Sequence, residues 1–241
     1  MSGIGDFLEG FSVLFGALAF LNRALKNETG KDLGDYISSV GESVKKIPPK
    51  AMIVKDTGNV KDRVEVIKQM IIKYREHPQI RAIASDILNK RCGDKWCIPE
   101  KDWLAEVKAV FDAVRKNVRY TRDPISKDLF VSPIRTLTQY HLGDCDDLTI
   151  VLGSILGHIG YPLKLRVIQT VGNSDYNHIY LMVGIPPFGE PKKWIAADAS
   201  VTNKPLGYQA PSEVIIRKRD FPIEPLGYTI RRQSGRHGRI Y

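Results

Sequence analysis

The 241-residue chain predicts an α+β fold, in which one helix packs on an antiparallel sheet and further helices precede it in the sequence. Apolar residues recur at helical spacing after residue 145, and also in three segments between residues 60 and 118. Three later segments are rich in β-branched and long apolar residues, as strands are: 163–171, 177–185 and 193–199. The hydrophobic fraction of 43% and the charged fraction of 26% are typical of a folded globular protein.

Residues 1–26 predict an apolar N-terminal helix. Seven apolar residues alternate three and four positions apart, as in a heptad stripe: Ile4, Phe7, Phe11, Leu14, Leu18, Leu21 and Leu25. Because other apolar residues fall on the remaining sides of the helix, we expect residues 4–25 to be buried, either against their own domain or in a protein assembly partner. Stable membrane insertion is not expected, because the stretch is short and Glu9 interrupts it. No basic segment precedes the helix, so we expect no secretory signal peptide.

Residues 27–58 contain scattered glycines and a proline pair, and they predict a linker or arm. Residues 59–122 predict a helical subdomain of three helices, the second of which starts at Pro78. Between the second and third helices, Cys92 and Cys97 are close enough in sequence to form a disulfide or a close thiol pair.

Residues 123–204 predict a catalytic core, and Cys145 is its most informative residue. Asp144 occupies the N-cap position of the helix that follows, and this helix ends at a Gly-Tyr-Pro sequence. Cys145 therefore lies at a helix N-terminus, where unpaired backbone N–H groups stabilise a thiolate and can hold an oxyanion. Asp146 and Asp147 suit the helix dipole but oppose a thiolate, so a strongly lowered pKa of the thiol also requires a protonated histidine nearby.

The second and third predicted strands form a hairpin, joined by a loop with three prolines and a glycine. If Val183 pairs with Lys193, His178 lies directly opposite Asp198 on one face of the sheet. Directly opposed residues have Cβ atoms about 5 Å apart, which suits an imidazole–carboxylate hydrogen bond. Cys145, His178 and Asp198 thus have the residue types of a thiol triad: a nucleophile, a base and a carboxylate that orients the base.

These residues resemble the transglutaminase-like superfamily, and within it the bacterial and tailed-phage members. The resemblance spans about residues 103–200 and is carried by the segments 132–137, 143–147, 160–162, 177–180 and 194–198. It implies a papain-like/transglutaminase-like core, in which the nucleophile helix packs on an antiparallel sheet, with an N-terminal helical region and extended termini.

The resemblance also implies a role for each site residue. Cys145 is the nucleophile, His178 the general base and acid, and Asp198 the orienting carboxylate. Members of the superfamily often place an aromatic or amide side chain upstream of the cysteine to help hold the oxyanion. The candidates for this role in the present sequence are Gln139, Tyr140 and His141.

The activity that the resemblance implies is that of a cysteine peptidase or amidase, which acts on a protein or peptide substrate through a thioester acyl-enzyme. The expected setting is a phage virion or a prophage protein in the bacterial cytoplasm. The alternative is a structural virion component of a tail, neck or connector, with a vestigial or accessory transglutaminase-like domain. We expect no cofactor and no metal, because the sequence has no His-x-x-x-His motif and no second cysteine pair.

Residues 205–241 predict a basic C-terminal tail that contains several prolines. The net charge of +9 permits binding to acidic partners, and four arginines fall within residues 231–241. This last segment is either a solvated tail without a partner or a docking segment for an acidic or nucleic-acid surface, whose binding would weaken with salt.

Overall fold

The structure is a computed structural model, and it describes residues 52–54, 59–123 and 128–225. The predicted N-terminal helix of residues 1–26 and the basic segment of residues 231–241 lie outside the described residues. Within the described ranges, no helix has both the length and the apolar character that a membrane crossing requires.

The described elements follow the chain in a fixed order. The first are β1 (Met52–Val54), α1 (Val60–Tyr74), α2 (Pro78–Leu88), β2 (Arg91–Cys92), β3 (Lys95–Trp96), α3 (Trp103–Asn117) and β4 (Arg119–Tyr120). Next come β5 (Asp128–Phe130), α4 (Pro133–Arg135), a π-helical turn (Thr136–Tyr140), β6 (Leu142–Gly143) and α5 (Cys145–Ile159). The last are β7 (Leu163–Thr170), β8 (His178–Ile185), β9 (Lys193–Ala197), a 3₁₀ turn (Ser212–Val214) and β10 (Ile215–Ile223).

Helices α1, α2 and α3 confirm the three helices predicted between residues 60 and 118. Each begins where a side chain accepts a hydrogen bond from a backbone N–H of the first turn: Asn59 for α1, His77 for α2 and Asp102 for α3. All three helices contact α5. Their buried apolar residues are Val64, Ile67 and Ile71, then Ile80 and Ala84, then Val107, Val110, Phe111 and Val114.

Helix α5 is the central element of the fold. It starts at Cys145 and ends before Gly160, whose φ of 102° is left-handed, and both ends agree with the sequence prediction. Residues 146–157 are all buried, because α1, α2, α3 and β8 pack against this helix. Apolar side chains of α5 and of one face of the sheet form one continuous core, whereas Ile168, Tyr180, Met182 and Ala196 of the sheet form a second cluster.

The sheet has four antiparallel strands in the order β10-β7-β8-β9. This arrangement confirms the α+β fold with a helix packed on an antiparallel sheet. Strand β10 lies within residues 205–241, which we predicted to be a tail beyond the core. It pairs with β7 from Ile215↔Thr170 to Ile223↔Leu163. The strand was missed because it carries several charges and a proline, which an edge strand tolerates since one of its sides needs no partner. The other domain boundaries stay predictions.

The register of the β8–β9 hairpin corrects the sequence analysis. Val183 pairs with Ile195 and not with Lys193, which pairs with Ile185. The ladder runs two residues further towards the loop, because the Lys192 N–H donates to the Ile185 carbonyl at 2.8 Å. A shift of two residues keeps every side chain on its predicted face, since side chains alternate with a period of two.

Three two-stranded sheets accompany the main sheet, and in the first of them β1 pairs antiparallel with β5. Strands β2 and β3 form a hairpin that is closed by a disulfide between Cys92 and Cys97, which decides between the two predicted alternatives. Strand β4 pairs in parallel with β6, and this pairing places Tyr120 beside Gly143, two residues before Cys145.

We predict that Gly153→Ala destabilises the protein by about 1–3 kcal/mol. A Cβ at residue 153 would lie 2.5 Å from Cδ1 of Ile71, which is fully buried in α1 and has little room to move. In the same helix, a Cβ at Gly157 would meet its nearest neighbours at 3.4 Å, an ordinary contact. Gly157→Ala is therefore the matched control, and its higher helix propensity should leave stability unchanged or raised. Urea denaturation of both variants measures the difference, and equal stabilities would contradict the prediction.

Candidate active site

The first turn of α5 fixes the position of the cysteine. The Asp144 carboxylate accepts hydrogen bonds from the N–H groups of Asp146 at 2.8 Å and Asp147 at 3.2 Å. Cys145 is therefore the first residue of the helix, as predicted. Gly143 is required just before it, because a Cβ there would come within 2.7 Å of the Asp147 Cβ. Cys145 carries the one free thiol of the chain, since the other two cysteines form the disulfide.

His178 and Asp198 are in direct contact. The Nε2 atom of His178 lies 2.6 Å from Oδ2 of Asp198, although the corrected register means that the two residues are not directly opposite. The other carboxylate oxygen, Oδ1, accepts hydrogen bonds from the N–H of Ser200 at 3.1 Å and from its hydroxyl at 2.6 Å. Both oxygens of Asp198 are thus engaged, so the carboxylate is held in one orientation. Because Nε2 faces Asp198, Nδ1 is the nitrogen left for a second partner.

Ser200 was missed by the sequence analysis as a residue that orients Asp198. A signal was present, because an aspartate two residues before a serine often accepts a hydrogen bond from that backbone N–H.

Cys145 and His178 line the same two cavities. Both residues line a recess of about 20 Å³ and a larger cleft of about 710 Å³. Asp198 and Ser200 also line the cleft. Arg63, which belongs to α1, lines both cavities.

The three oxyanion candidates lie elsewhere. Gln139 and Tyr140 belong to the π-helical turn and His141 is its left-handed cap, and all three are exposed. None of the three lines the recess or the cleft. Tyr120 does line the cleft, because the parallel pairing of β4 with β6 brings it beside the start of α5. The sequence did not indicate this pairing, since each strand has only two residues.

Residues 90–199 match the sequence model of the transglutaminase-like superfamily. The match includes Cys145, His178 and Asp198, and it leaves out α1 and β10. The family prediction is thereby confirmed, whereas the tailed-phage type stays a prediction.

Two solved structures are similar to the chain. One is a candidate cysteine protease from Cytophaga hutchinsonii, with 16% identity, a TM-score of 0.40 and 69% of this chain covered. The other is described as a TGase, with 15% identity, a TM-score of 0.32 and 75% of this chain covered. The chain spans 53% and 41% of the lengths of these two proteins. No curated protein matches the chain.

The Cys145 thiol is protonated at neutral pH. Burial, together with the Asp146 and Asp144 carboxylates, raises the pKa of the Cys145 thiol well above its ordinary value. The backbone N–H of Ile179 donates to the sulfur and acts in the opposite direction. The thiol itself donates to Oδ1 of Asp146 across 3.5 Å.

The pKa values of two carboxyl groups near the sulfur are raised as well. Burial and the neighbouring Asp146 and Asp147 raise the pKa of Asp144 to about 8. Burial also raises the pKa of Asp147 to about 7, although its carboxylate accepts a hydrogen bond from the Val131 N–H at 2.9 Å. Burial and the nearby Cys145 raise the pKa of the Tyr120 phenol, which is therefore a hydrogen-bond donor at neutral pH.

Among the described residues, one cluster of three side chains has the spacing of metal ligands. Potential ligand atoms of Asp144, Cys145 and Asp146 all lie within 4.8 Å of one another. Each already has a protein partner, since Asp144 caps the helix, the thiol donates to Asp146, and Asp146 pairs with Arg63 at 3.2 Å. An acidic cluster with its own partners does not define a metal site, and we assign none here.

We predict that Asp147 makes the protein less stable as the pH rises from about 4 to about 7. An aspartate in the unfolded chain titrates near pH 3.9, whereas the pKa of Asp147 in the fold is raised to about 7. Between these values the folded state binds more protons than the unfolded state. The free energy of unfolding therefore falls with pH, by up to about 1.4 kcal/mol per pH unit for this group.

The measurement is urea denaturation between pH 4 and pH 8 on the wild type and on Asp147→Asn. The asparagine keeps an oxygen for the Val131 N–H but has no charge to bury, so its stability should change less with pH. Asp112→Asn removes an exposed carboxylate and controls for the loss of one charge. An identical pH slope in the wild type and Asp147→Asn would show the prediction to be wrong.

Proposed function

We propose that this protein is a cysteine hydrolase, a peptidase or amidase, that works through Cys145, His178 and Asp198. The observation that carries the proposal is the hydrogen bond between His178 and Asp198 in a cleft that Cys145 also lines. A base held by an oriented carboxylate, next to a thiol at a helix N-terminus, is the arrangement that nucleophilic acyl transfer requires. The substrate would be a protein or peptide amide bound along the cleft.

The first half of the reaction follows from the two ring nitrogens. Nδ1 of His178 takes the thiol proton, because Nε2 is occupied by Asp198. The sulfur then bonds to the acyl carbon of the substrate, and the carbonyl electron pair moves to oxygen. The backbone N–H of Cys145 and the Tyr120 hydroxyl would stabilise this oxyanion. When the intermediate collapses, His178 returns the proton to the leaving amine and a thioester remains on Cys145.

The second half of the reaction is hydrolysis of the thioester. A water molecule in the cleft gives a proton to His178 and bonds to the acyl carbon. The C–S bond breaks, His178 protonates the sulfur and the carboxylic acid leaves. The resting enzyme, with a neutral thiol, is restored. Transfer to an amine instead of water would use the same thioester, and hydrolysis is favoured here because the sequence indicates no lysine-binding second site and no calcium site.

An alternative function rests on the raised pKa of the Cys145 thiol. A thiol that is buried beside two carboxylates is a poor nucleophile unless a base removes its proton. This favours, as a second proposal, a transglutaminase-like domain with vestigial or accessory chemistry in a structural component of a phage tail, neck or connector. The phage setting, the assembly role of residues 4–25 and the acidic or nucleic-acid partner of residues 231–241 stay predictions from the sequence.

We predict that His178→Ala slows alkylation of Cys145 by iodoacetamide at neutral pH by about a hundredfold or more, because the thiol loses its base. Asp198→Asn should give a smaller loss, since it keeps the ring in place but removes the carboxylate charge. Rates are measured against pH, with the modified residue mapped by mass spectrometry. His77→Asn is the matched control, because it removes a histidine outside both cavities and keeps an N-cap for α2. Equal rates in the wild type and His178→Ala would refute the enzyme and favour the structural alternative.

We predict that Tyr120→Phe slows Cys145-dependent hydrolysis of a p-nitrophenyl ester by about tenfold to a hundredfold, because one oxyanion donor is lost. The same variant should be alkylated by iodoacetamide at the wild-type rate, since alkylation forms no oxyanion. Tyr140→Phe, which removes an exposed phenol outside both cavities, serves as the matched control. An equal loss in both reactions would mean that Tyr120 supports the fold or the thiol and not the oxyanion.

A further inference from the structure

The Asp146 carboxylate connects the nucleophile to an arginine from another helix. Its Oδ1 faces the Cys145 sulfur at 3.5 Å, and its Oδ2 accepts a hydrogen bond from Nη2 of Arg63 at 3.2 Å. The Asp146 side chain is 4% exposed and that of Arg63 is 31% exposed. Removal of the arginine would therefore leave a buried carboxylate beside the sulfur without its cationic partner, which costs free energy.

Arg63 is held in place by the packing of α1. The helix begins at the Asn59 cap and packs on α5, where Ile71 fills the space above Gly153. Arg63 is 83 residues before Asp146 in the sequence and lies outside residues 90–199, which match the family. The arginine is therefore a feature of this chain that the family match does not include.

Arg63 is the cation that pairs with the carboxylate beside the sulfur. A carboxylate at 3.5 Å disfavours a thiolate, and a cation on the same carboxylate offsets that effect. Tyr120 faces the site as a neutral phenol and His178 as the base. The charged and titratable groups that line the two cavities with Cys145 come from five places: Arg63 on α1; Tyr120, Arg122 and Asp123 on and after β4; Asp144 and Asp146 at the start of α5; Tyr176, His178 and Tyr180 before and on β8; and Asp198 and Tyr208 after β9.

We propose that Arg63 is a positioning residue that acts through Asp146: by pairing with this carboxylate it offsets the negative charge beside Cys145, so that the thiol can pass its proton to His178. The inference rests on the proposed role of Cys145 as the nucleophile. Helix α1 would then contribute to the chemistry of the site, although Cys145, His178 and Asp198 all come later in the sequence.

The test is the rate of Cys145 alkylation by iodoacetamide against pH in four variants of the full chain. Arg63→Gln leaves Asp146 uncompensated, so the thiol should titrate about one pH unit higher and react about tenfold more slowly at pH 7. Asp146→Asn removes the carboxylate charge and should shift the rate in the opposite direction by a similar factor. Arg63→Lys keeps the charge and should retain most of the rate. Arg63→Gln with Asp146→Asn removes one charge of each sign and should return to within about threefold of the wild type.

A purely structural role would not produce opposite shifts that cancel in the double variant. Arg217→Gln is the matched control, because it removes an arginine that pairs with an aspartate at the same distance of 3.2 Å but lines neither cavity. Thermal melting of each variant checks that it is folded, and Asp146→Asn tests the proposal even if Arg63→Gln fails to fold.

An unchanged rate in Arg63→Gln overturns the inference, as does a double variant that is as slow as Arg63→Gln alone. A Cys145 that stays unreactive in Asp146→Asn at every pH also overturns it. A different result would contradict the proposed function. In that case His178→Ala would react at the wild-type rate, while Arg63→Gln and Asp146→Asn would still shift the rate in opposite directions.

Discussion

The hydrogen bonds from the first turn of α5 to the Asp144 carboxylate are the interaction on which the site depends. They make Cys145 the first residue of a helix that is buried along the rest of its length. The Asp144 carboxylate thereby satisfies two of the N–H groups at the start of the helix, which have no partner within the helix itself. Because α5 is surrounded by three helices and the sheet, its first turn cannot shift without disturbing the whole core.

The same burial creates the main electrostatic difficulty of the site. Three consecutive acidic or thiol-bearing positions, 144, 145 and 146, share a small volume with Asp147, and each carboxylate disfavours charge on its neighbours. The fold offsets this with donors from distant elements: the Val131 N–H, the Arg63 guanidinium and the Ile179 N–H. The raised pKa of the Cys145 thiol, and hence a neutral thiol at neutral pH, follows from this balance.

Local features of the fold were predictable, and long-range ones were not. The start and end of α5 follow from an N-cap aspartate and a left-handed glycine, both of which are local signals. The face that His178 and Asp198 share was predictable because it depends only on alternation, whereas the register depends on how the loop closes and was wrong by two residues. Tyr120 and Arg63 come to the cleft of Cys145 through a two-residue parallel pairing and through an ion pair with Asp146 across 83 residues, and neither interaction has a local sequence signal.

The family match and the folded unit do not end at the same residues in this chain, as the edge strand β10 shows. The residues that identify the family end at 199, yet β7 completes its hydrogen bonds only with a strand that begins at Ile215. At the other end, α1 covers α5 from a position before the match begins. A fragment cut to residues 90–199 would expose one flank of its central helix and leave β7 as a bare edge, open to pairing with other chains. The family match and the packed fold therefore end at different residues, and a transplanted core would have to carry α1, α2 and β10 with it.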